Sequence, residues 1–208
     1  LAGEIATTYK NKQITLVHSE ESLLNSRFPK KLRDTLANQL RDLNVKLVLG
    51  ERIDLTTKKT IIESDIQFVV TGAKPNTEII KSFDASLLEP HTNLVRVKPT
   101  LQLDKDIYDN IFAVGDVTNV QESKMAFRAG LHGQVVVKNV LAKINNKKMN
   151  NYNPMGETAF IPIGKNKGAG LLPMFGGKVV GSFMVKKIKG KNLLVDQTWK
   201  SLNAKRED

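Results

Sequence analysis

The stretch Asp109-Asn110-Ile111-Phe112-Ala113-Val114-Gly115-Asp116-Val117 constrains this chain most, because an apolar, β-branched run stops abruptly at Gly-Asp. Such a run predicts a buried strand, and the residues from Ser123-Lys124-Met125-Ala126 onward predict a helix. A strand followed about seven residues later by a helix brings a carboxylate and a closely approaching backbone near the unpaired N–H groups of the helix start. Hydroxyls and phosphates need that combination, so the stretch suits the ribityl-pyrophosphate portion of a flavin. The same residues also suit a buried strand closed by a Gly-Asp turn with no ligand.

The first residues carry a second signal. Leu1-Ala2-Gly3-Glu4-Ile5-Ala6 reads as the middle of a helix that leads into the strand Gln13-Ile14-Thr15-Leu16-Val17. In a dinucleotide-binding βαβ unit a Gly-rich turn precedes such a helix. None stands here, so the expectation is the carboxyl-terminal part of a longer protein, inactive as a fragment.

The fold class expected is α/β. Residues 1–76 alternate helix and strand. The helix from Pro29, a first-turn residue, shows Leu32, Leu36, Leu40 and Leu43 on one face, and Val45-Lys46-Leu47-Val48-Leu49 follows as a strand. Arg52 to Ser64 reads as short hairpin strands, and Ile66-Gln67-Phe68-Val69-Val70 as a buried strand stopping at Thr71-Gly72-Ala73-Lys74-Pro75-Asn76. Residues 77–150 hold loops around Pro90 and Pro99, the short strand Leu94–Val97, the strand to Gly115-Asp116, and a long helix. That helix presents Met125, Ala129, Val136, Val140 and Ile144 as an apolar stripe, with Gly130 and Gly133 placed for close approach to a sheet. Asn145 to Asn151 reads as a polar linker. Residues 151–208 form a small basic domain, in which Gly164 to Gly170 reads as a β-turn cluster and Gly181 leads into a helix.

Composition narrows the chemistry. The 208 residues contain no cysteine, which excludes a disulfide framework, thiolate catalysis and a thiolate metal site within them. His18, His91 and His132 show no metal-ligand spacing, and no apolar run reaches about 18 residues. The net charge of +11 is concentrated late: residues 160–206 hold ten Lys or Arg against a single acid, Asp196. Basic residues interleaved with Val, Phe, Met and Ile suit an anionic membrane surface at least as well as nucleic acid, for which no reader motif is present. Val180, Phe183, Met184 and Ile188 stand at helical spacing beside Lys186, Lys187, Lys189 and Lys191; the stripe suits either a helix packed on its own domain or membrane contact.

A strand ending Thr71-Gly72-x-x-Pro75-Asn76, followed by one ending Gly115-Asp116 and a helix, resembles the two-dinucleotide-binding-domain flavoproteins, in which a nicotinamide domain is inserted into a flavin domain. The carboxyl-terminal residues narrow the match. Phe160 to Gly170, Phe183-Met184-Val185-Lys186, Thr198-Trp199-Lys200 and Lys124-Met125-Ala126 with Ala129-Gly130-Leu131-His132 resemble the apoptosis-inducing-factor-like proteins of the ferroptosis-suppressor type.

The resemblance implies an FAD-dependent NAD(P)H:quinone oxidoreductase, related to type II NADH dehydrogenases. It implies a partial Rossmann-like nicotinamide domain, a returning part of an FAD domain, and a small carboxyl-terminal domain. Flavin contact falls to Gly115, Asp116 and the backbone of Lys124, Met125 and Ala126. Lys124 either supplies positive charge near the flavin's pyrimidine edge or is a solvated helix-start lysine. Gly72, Pro75 and Asn76 serve the nicotinamide side by backbone shape. A quinone substrate and peripheral contact with an anionic membrane, in the cytoplasm or the mitochondrion, are the expected setting. The alternative is a basic interaction module that binds nucleic acid or acidic partners. One departure concerns the adenine ribose, where an acid normally follows the second strand. His18-Ser19 stands there, with Glu20 and Glu21 nearby, so the choice between NADH and NADPH stays open; His18 also suits an inert strand end.

Overall fold

A computed structural model describes residues 1–53, 63–72, 74–173, 177–189 and 194–204. The chain divides into two units, Leu1–Ile66 with Gly156–Asp208, and Gln67–Met155. Three domains were expected from the sequence. Instead, the carboxyl-terminal residues share a core with the amino-terminal ones.

In the first unit, helix α1 (Ala2–Thr8) leads to strand β1 (Ile14–His18), helix α2 (Lys30–Arg41) and strand β2 (Val45–Leu49). The strands pair in parallel, with Ile14 opposite Val45 and His18 opposite Leu49. Leu32, Leu36 and Leu40 recur at one-turn spacing and are buried, so the α2 stripe is the one the sequence shows. Pro29 precedes the helix as its N-cap residue, where its missing N–H costs nothing. The returning segment forms β3 (Ala159–Ile163), β4 (Lys167–Leu172) and β5 (Lys178–Val180), an antiparallel sheet in the order β3-β4-β5. The Gly164–Gly170 cluster is thus a hairpin turn plus most of a strand. Ile163, Ala169 and Leu171 join Ala6, Phe28, Leu32, Leu36, Leu40 and Val45 in one apolar cluster. Gly3 makes this junction tight, because a Cβ there would lie 2.6 Å from Ile163 Cγ2. The Gly164 N–H donates to Glu4 Oε1 at 3.0 Å across the same contact.

Helix α5 (Ser182–Lys189) packs through Val185, which is buried, and α6 (Val195–Ser201) follows. Of the four apolar residues expected as its stripe, Phe183 is 78% exposed and Ile188 38% exposed, while Val180 and Met184 are half-buried. Among the described residues, no helix is long and apolar enough to cross a membrane. The expected hairpin at Arg52 to Ser64 lies mostly outside the described residues.

The second unit is built largely of loops. Helix α3, between β2 and β3, spans Glu78–Asp84, and α4 spans Ala126–Ile144. Its core is Leu87, Leu88, Val95 and Leu103, with Ile80, Val97, Tyr108, Ala113 and Val117 packed against it. The expected strands reduce to single bridges: Val95 pairs with Leu88 and Thr118, Val97 with Leu103, and Phe112 with Gln102. Ile111 and Val114 remain 37% and 40% exposed, so the run before Gly115 is extended but not a buried strand. Ile66, Phe68, Val69 and Val70 are also exposed and unpaired among the described residues. An extended run is buried only when strands flank it, and none does among the described residues.

Helix α4 reverses its expected polarity. Its buried residues are Arg128, His132, Asn139 and Ala142, while Phe127, Val137, Val140, Leu141 and Ile144 are exposed. Gly130 and Gly133, expected to admit a close neighbour, have nothing among the described residues within 4 Å of where a Cβ would stand. The expected polar linker after the helix is pinned rather than loose. Asn139 Nδ2 donates to the carbonyls of Asn150 and Thr100, its Oδ1 accepts from Asn150 N–H, and Tyr152 N–H donates to Pro99 O.

Candidate functional site

Gly115 lies in a short 3-10 turn, Gly115–Val117, with φ +74°, a conformation that glycine adopts without steric cost. A Cβ there would stand 3.2 Å from Ala129 Cβ, so the turn sits directly against α4. The next residue, Asp116, is exposed, and its carboxylate makes no hydrogen bond among the described residues. At the start of α4, the N–H groups of Arg128 and Ala129 donate to Met125 O, and those of Ala126 and Phe127 have no partner among the described residues. A free carboxylate, a glycine backbone and orphan helix donors therefore belong to one turn-and-helix junction. This donor and acceptor set fits a ligand carrying both hydroxyls and phosphate.

Met125 is the extended N-cap residue of α4 and Ala126 its first residue. Lys124 lies one residue earlier, and its ammonium donates to Thr118 O at 2.6 Å and Val120 O at 2.9 Å. The charge is thereby committed to closing the loop that follows Asp116. Gly72 is exposed with φ +100°, Pro75 is half-buried and Asn76 exposed. The adjoining Thr77 is buried and its hydroxyl donates to Asn93 O at 3.1 Å. Two residues on, Val95 N–H donates to Val117 O and Val95 O accepts from Asn119 N–H. One segment, 93–95, thus anchors both the Pro75-Asn76 turn and the Gly115-Asp116 loop.

Beneath that loop lies a buried polar network that the sequence reading did not assemble. Glu122 is 4% exposed, Arg128 3% and His132 1%. Arg128 Nη1 donates to Glu122 Oε2 at 2.7 Å and to Met155 O at 3.0 Å. The Tyr152 hydroxyl donates to Glu122 Oε2 at 2.8 Å, and its ring meets His132 edge-on at 4.3 Å. His132 Nε2 lies 2.9 Å from Glu122 Oε1, and the Gly115 N–H donates to His132 Nδ1 at 3.0 Å. Nδ1 must carry a lone pair to accept, so the proton sits on Nε2 and donates to Glu122. Burial pushes the imidazole below its ordinary value of 6.5, outweighing the nearby Glu122 carboxylate, and the ring is neutral. Burial and the hydrogen bond to Glu122 push the Tyr152 phenol up to about 12, so it remains a donor. A trace of this network was visible in sequence: Arg128, His132 and Asn139 recur on one helical face, six to seventeen residues after an acid, Glu122.

The first unit offers a separate cleft of about 220 Å³, lined in part by Glu21, Ser22, Arg33, Arg41 and Leu49. It lies at the carboxyl ends of parallel strands, the usual location of a ligand in an α/β unit. Arg33 Nη1 donates to Ser22 Oγ at 2.7 Å, while Arg33 Nε is buried with no partner among the described residues. The Glu21 carboxylate covers Gly50, whose φ is +76°. His18 ends β1 half-buried; its Nε2 is likewise buried and unpartnered, and its carbonyl accepts from Glu51 N–H. His18 belongs to this unit, whereas the other expected cofactor residues belong to the second.

The pyridine nucleotide-disulphide oxidoreductase family model matches residues 1–133. An FAD-dependent oxidoreductase of Flammulina velutipes, FVFD30, is 34% identical over 209 residues, covering 95% of this chain and 64% of its own. Human ferroptosis suppressor protein 1 is 29% identical over 219 residues, covering 97% of this chain and 57% of its own. The chain therefore spans less than two thirds of these relatives. Among solved structures, the water-forming NADH oxidase of Lactobacillus brevis, bound to NADH, aligns with a TM-score of 0.64 at 21% identity, over 92% of this chain and 42% of that one. The sulfide:quinone oxidoreductase of Aquifex aeolicus aligns with a TM-score of 0.62 at 15% identity, over 97% and 57%. These likenesses support the same α/β fold. With the family model covering well over half of its length, this chain belongs to the pyridine nucleotide-disulphide oxidoreductase family.

Proposed function

We propose that the protein containing this chain is an FAD-dependent oxidoreductase that takes a hydride from NAD(P)H and passes electrons to a quinone. The observation that carries this reading is the junction of Asp116, Gly115 and the free N–H groups at the start of α4. FAD, when bound, supplies the hydride acceptance and electron transfer that side chains cannot. The residues here hold and orient it. Asp116 accepts hydrogen bonds from ligand hydroxyls, Gly115 keeps Cβ bulk away from the ligand, and the Ala126 and Phe127 N–H groups meet its electron-rich atoms. The resemblance of the carboxyl-terminal residues to proteins of the ferroptosis-suppressor type supports a quinone as acceptor.

The cleft at the ends of β1 and β2 is the proposed seat of the adenosine half of NAD(P)H. His18-Ser19 stands where the sequence places the selectivity for the adenine ribose, and the cleft adds Glu21 and Arg33. Glu21 suits a ribose 2′-hydroxyl, and Arg33, with an unused buried N–H, suits a 2′-phosphate. Both cofactors should therefore be accepted. Arg33→Ala is expected to lower kcat/KM for NADPH by about 10- to 100-fold, as befits a lost charged hydrogen bond, with NADH little changed. An equal fall for both cofactors would assign Arg33 to the fold instead.

A membrane surface is the proposed workplace. Phe183, Lys186 and Lys187 stand at i, i+3 and i+4 on the exposed face of α5, with Val185 fixing the opposite face to the protein. An aromatic ring among lysines suits an anionic lipid surface, each lysine contributing roughly 1 kcal/mol there. In the flavin-loaded, full-length protein, NAD(P)H oxidation should depend on added quinone. Changing Phe183 to Ser with Lys186, Lys187 and Lys189 to Gln should release it from anionic vesicles and suppress turnover of a long-chain quinone far more than that of a short soluble one. Quinone-independent oxidation contradicts the activity; equal loss on both quinones contradicts the membrane reading. Retention on DNA with undiminished vesicle binding by the variant would favour the basic interaction module.

A further inference from the structure

The second unit buries an acid, a guanidinium, an imidazole and a phenol in one cluster, and a hydrogen bond joins its imidazole to the Gly115-Asp116 turn. We propose that His132 is a positioning residue for the flavin: its Nδ1 lone pair holds the Gly115 N–H, and Glu122, fixed by Arg128 and Tyr152, keeps the ring proton on Nε2 so that this lone pair exists. The inference rests on the flavin reading of Asp116 and adds to it the device that aims that carboxylate.

The geometry supplies each link. Gly115 has a left-handed φ, and its N–H donates to His132 Nδ1 at 3.0 Å. The Gly115 carbonyl accepts from both the Thr118 N–H and the Thr118 hydroxyl, the latter at 2.9 Å. The peptide groups on both sides of Gly115 are thus fixed, and Asp116 follows on a backbone with little freedom. The imidazole is held in turn: Nε2 meets Glu122 Oε1 at 2.9 Å, while Glu122 Oε2 takes bonds from Arg128 and Tyr152. A histidine whose second nitrogen is fixed by a carboxylate has its tautomer chosen for it. Burial, together with the positive charges of Lys124 and Arg128, opposes a second proton, and the Glu122 carboxylate alone favours one. A proton on Nδ1 would set two donors against each other and unseat the turn.

Two substitutions separate this role from simple packing. His132→Asn places an acceptor oxygen near the Nδ1 position, while His132→Gln keeps a donor for Glu122 but loses the acceptor for Gly115. In the full-length protein, FAD dissociation followed by flavin fluorescence should weaken about 10- to 100-fold in His132→Gln, the effect of a buried N–H left unsatisfied, and at most a few-fold in His132→Asn. Thermal melting of the two apo-proteins separates folding from retention. The 15N shifts of the His132 ring in the unsubstituted protein give a reading independent of either variant: a neutral ring protonated on Nε2 is expected at neutral pH. Equal FAD affinity in all three proteins, or a ring protonated on Nδ1, overturns the proposal. An unsubstituted full-length protein that binds no FAD while its ring shows the Nε2 tautomer overturns the flavin reading instead.

Discussion

Replacing Glu122 by alanine is expected to cost about 3–5 kcal/mol of stability, the range for breaking a buried ion pair by removing one partner. The carboxylate side chain is 2% exposed and receives Arg128 Nη1, the Tyr152 hydroxyl and His132 Nε2. Without it the Arg128 guanidinium, also buried, keeps Met155 O but loses the Glu122 carboxylate, and the Tyr152 hydroxyl and His132 Nε2 lose that acceptor. The surface pair Lys30–Asp34 gives the contrast. Its nitrogen–oxygen distance of 2.6 Å is shorter than that of Arg128–Glu122, yet its side chains are 81% and 49% exposed. Water screens such a pair, and Asp34→Ala should cost only a few tenths of a kcal/mol, the scale of an exposed i,i+4 pair. Hydrogen exchange at amides of residues 67–155 reads the loss in the unit that holds the network. Exchange in Glu122→Ala as slow as in Asp34→Ala would mean that the cluster relaxes without penalty.

Helix α2 and strands β1 and β2 were legible because their signals are local and apolar: Leu32, Leu36 and Leu40 need only face a sheet to be buried. The Gly115-Asp116 turn was legible for a related reason, since a left-handed backbone beside a helix leaves few residues other than glycine. Helix α4 was read the wrong way round. Periodicity counts apolar residues, and Val136, Val140 and Ile144 made the more visible stripe. Arg128 and His132 are buried nonetheless, because the Glu122 carboxylate, six residues before the nearer of them, accepts from both, and Tyr152 closes the cluster by donating to Glu122 and packing its ring on His132. Burial of a polar side chain depends on partners that no helical period displays. The exposed run Ile66–Val70 differs for the opposite reason, as hydrophobicity alone does not supply a neighbouring strand, and none stands beside it among the described residues. Nothing local announces that β3 and β4 pack on α1 and α2, more than a hundred residues earlier, although Gly3 and Gly164 mark the contact once it is seen.

Asp116→Ala carries the second large effect. Its carboxylate is exposed and unpartnered among the described residues, so its removal disturbs no internal hydrogen bond, and a loss of ligand cannot be ascribed to collapse of the turn. A hydrogen bond to a charged acceptor contributes about 1.5–3 kcal/mol, or roughly one to two orders of magnitude in Kd. Asp116→Asn keeps an acceptor oxygen without the charge and should fall between the two. Apo-protein melting should be nearly the same in all three, since an exposed side chain without contacts adds little to the fold.

The most direct test of the flavin-binding turn is therefore the FAD dissociation constant of the full-length protein and its Asp116→Ala variant, measured by flavin fluorescence in apo-proteins of matched melting temperature. A Kd weakened roughly 10- to 100-fold in the variant is the result expected. An unchanged Kd would contradict the assignment and leave Gly115-Asp116 as a turn that serves only the fold.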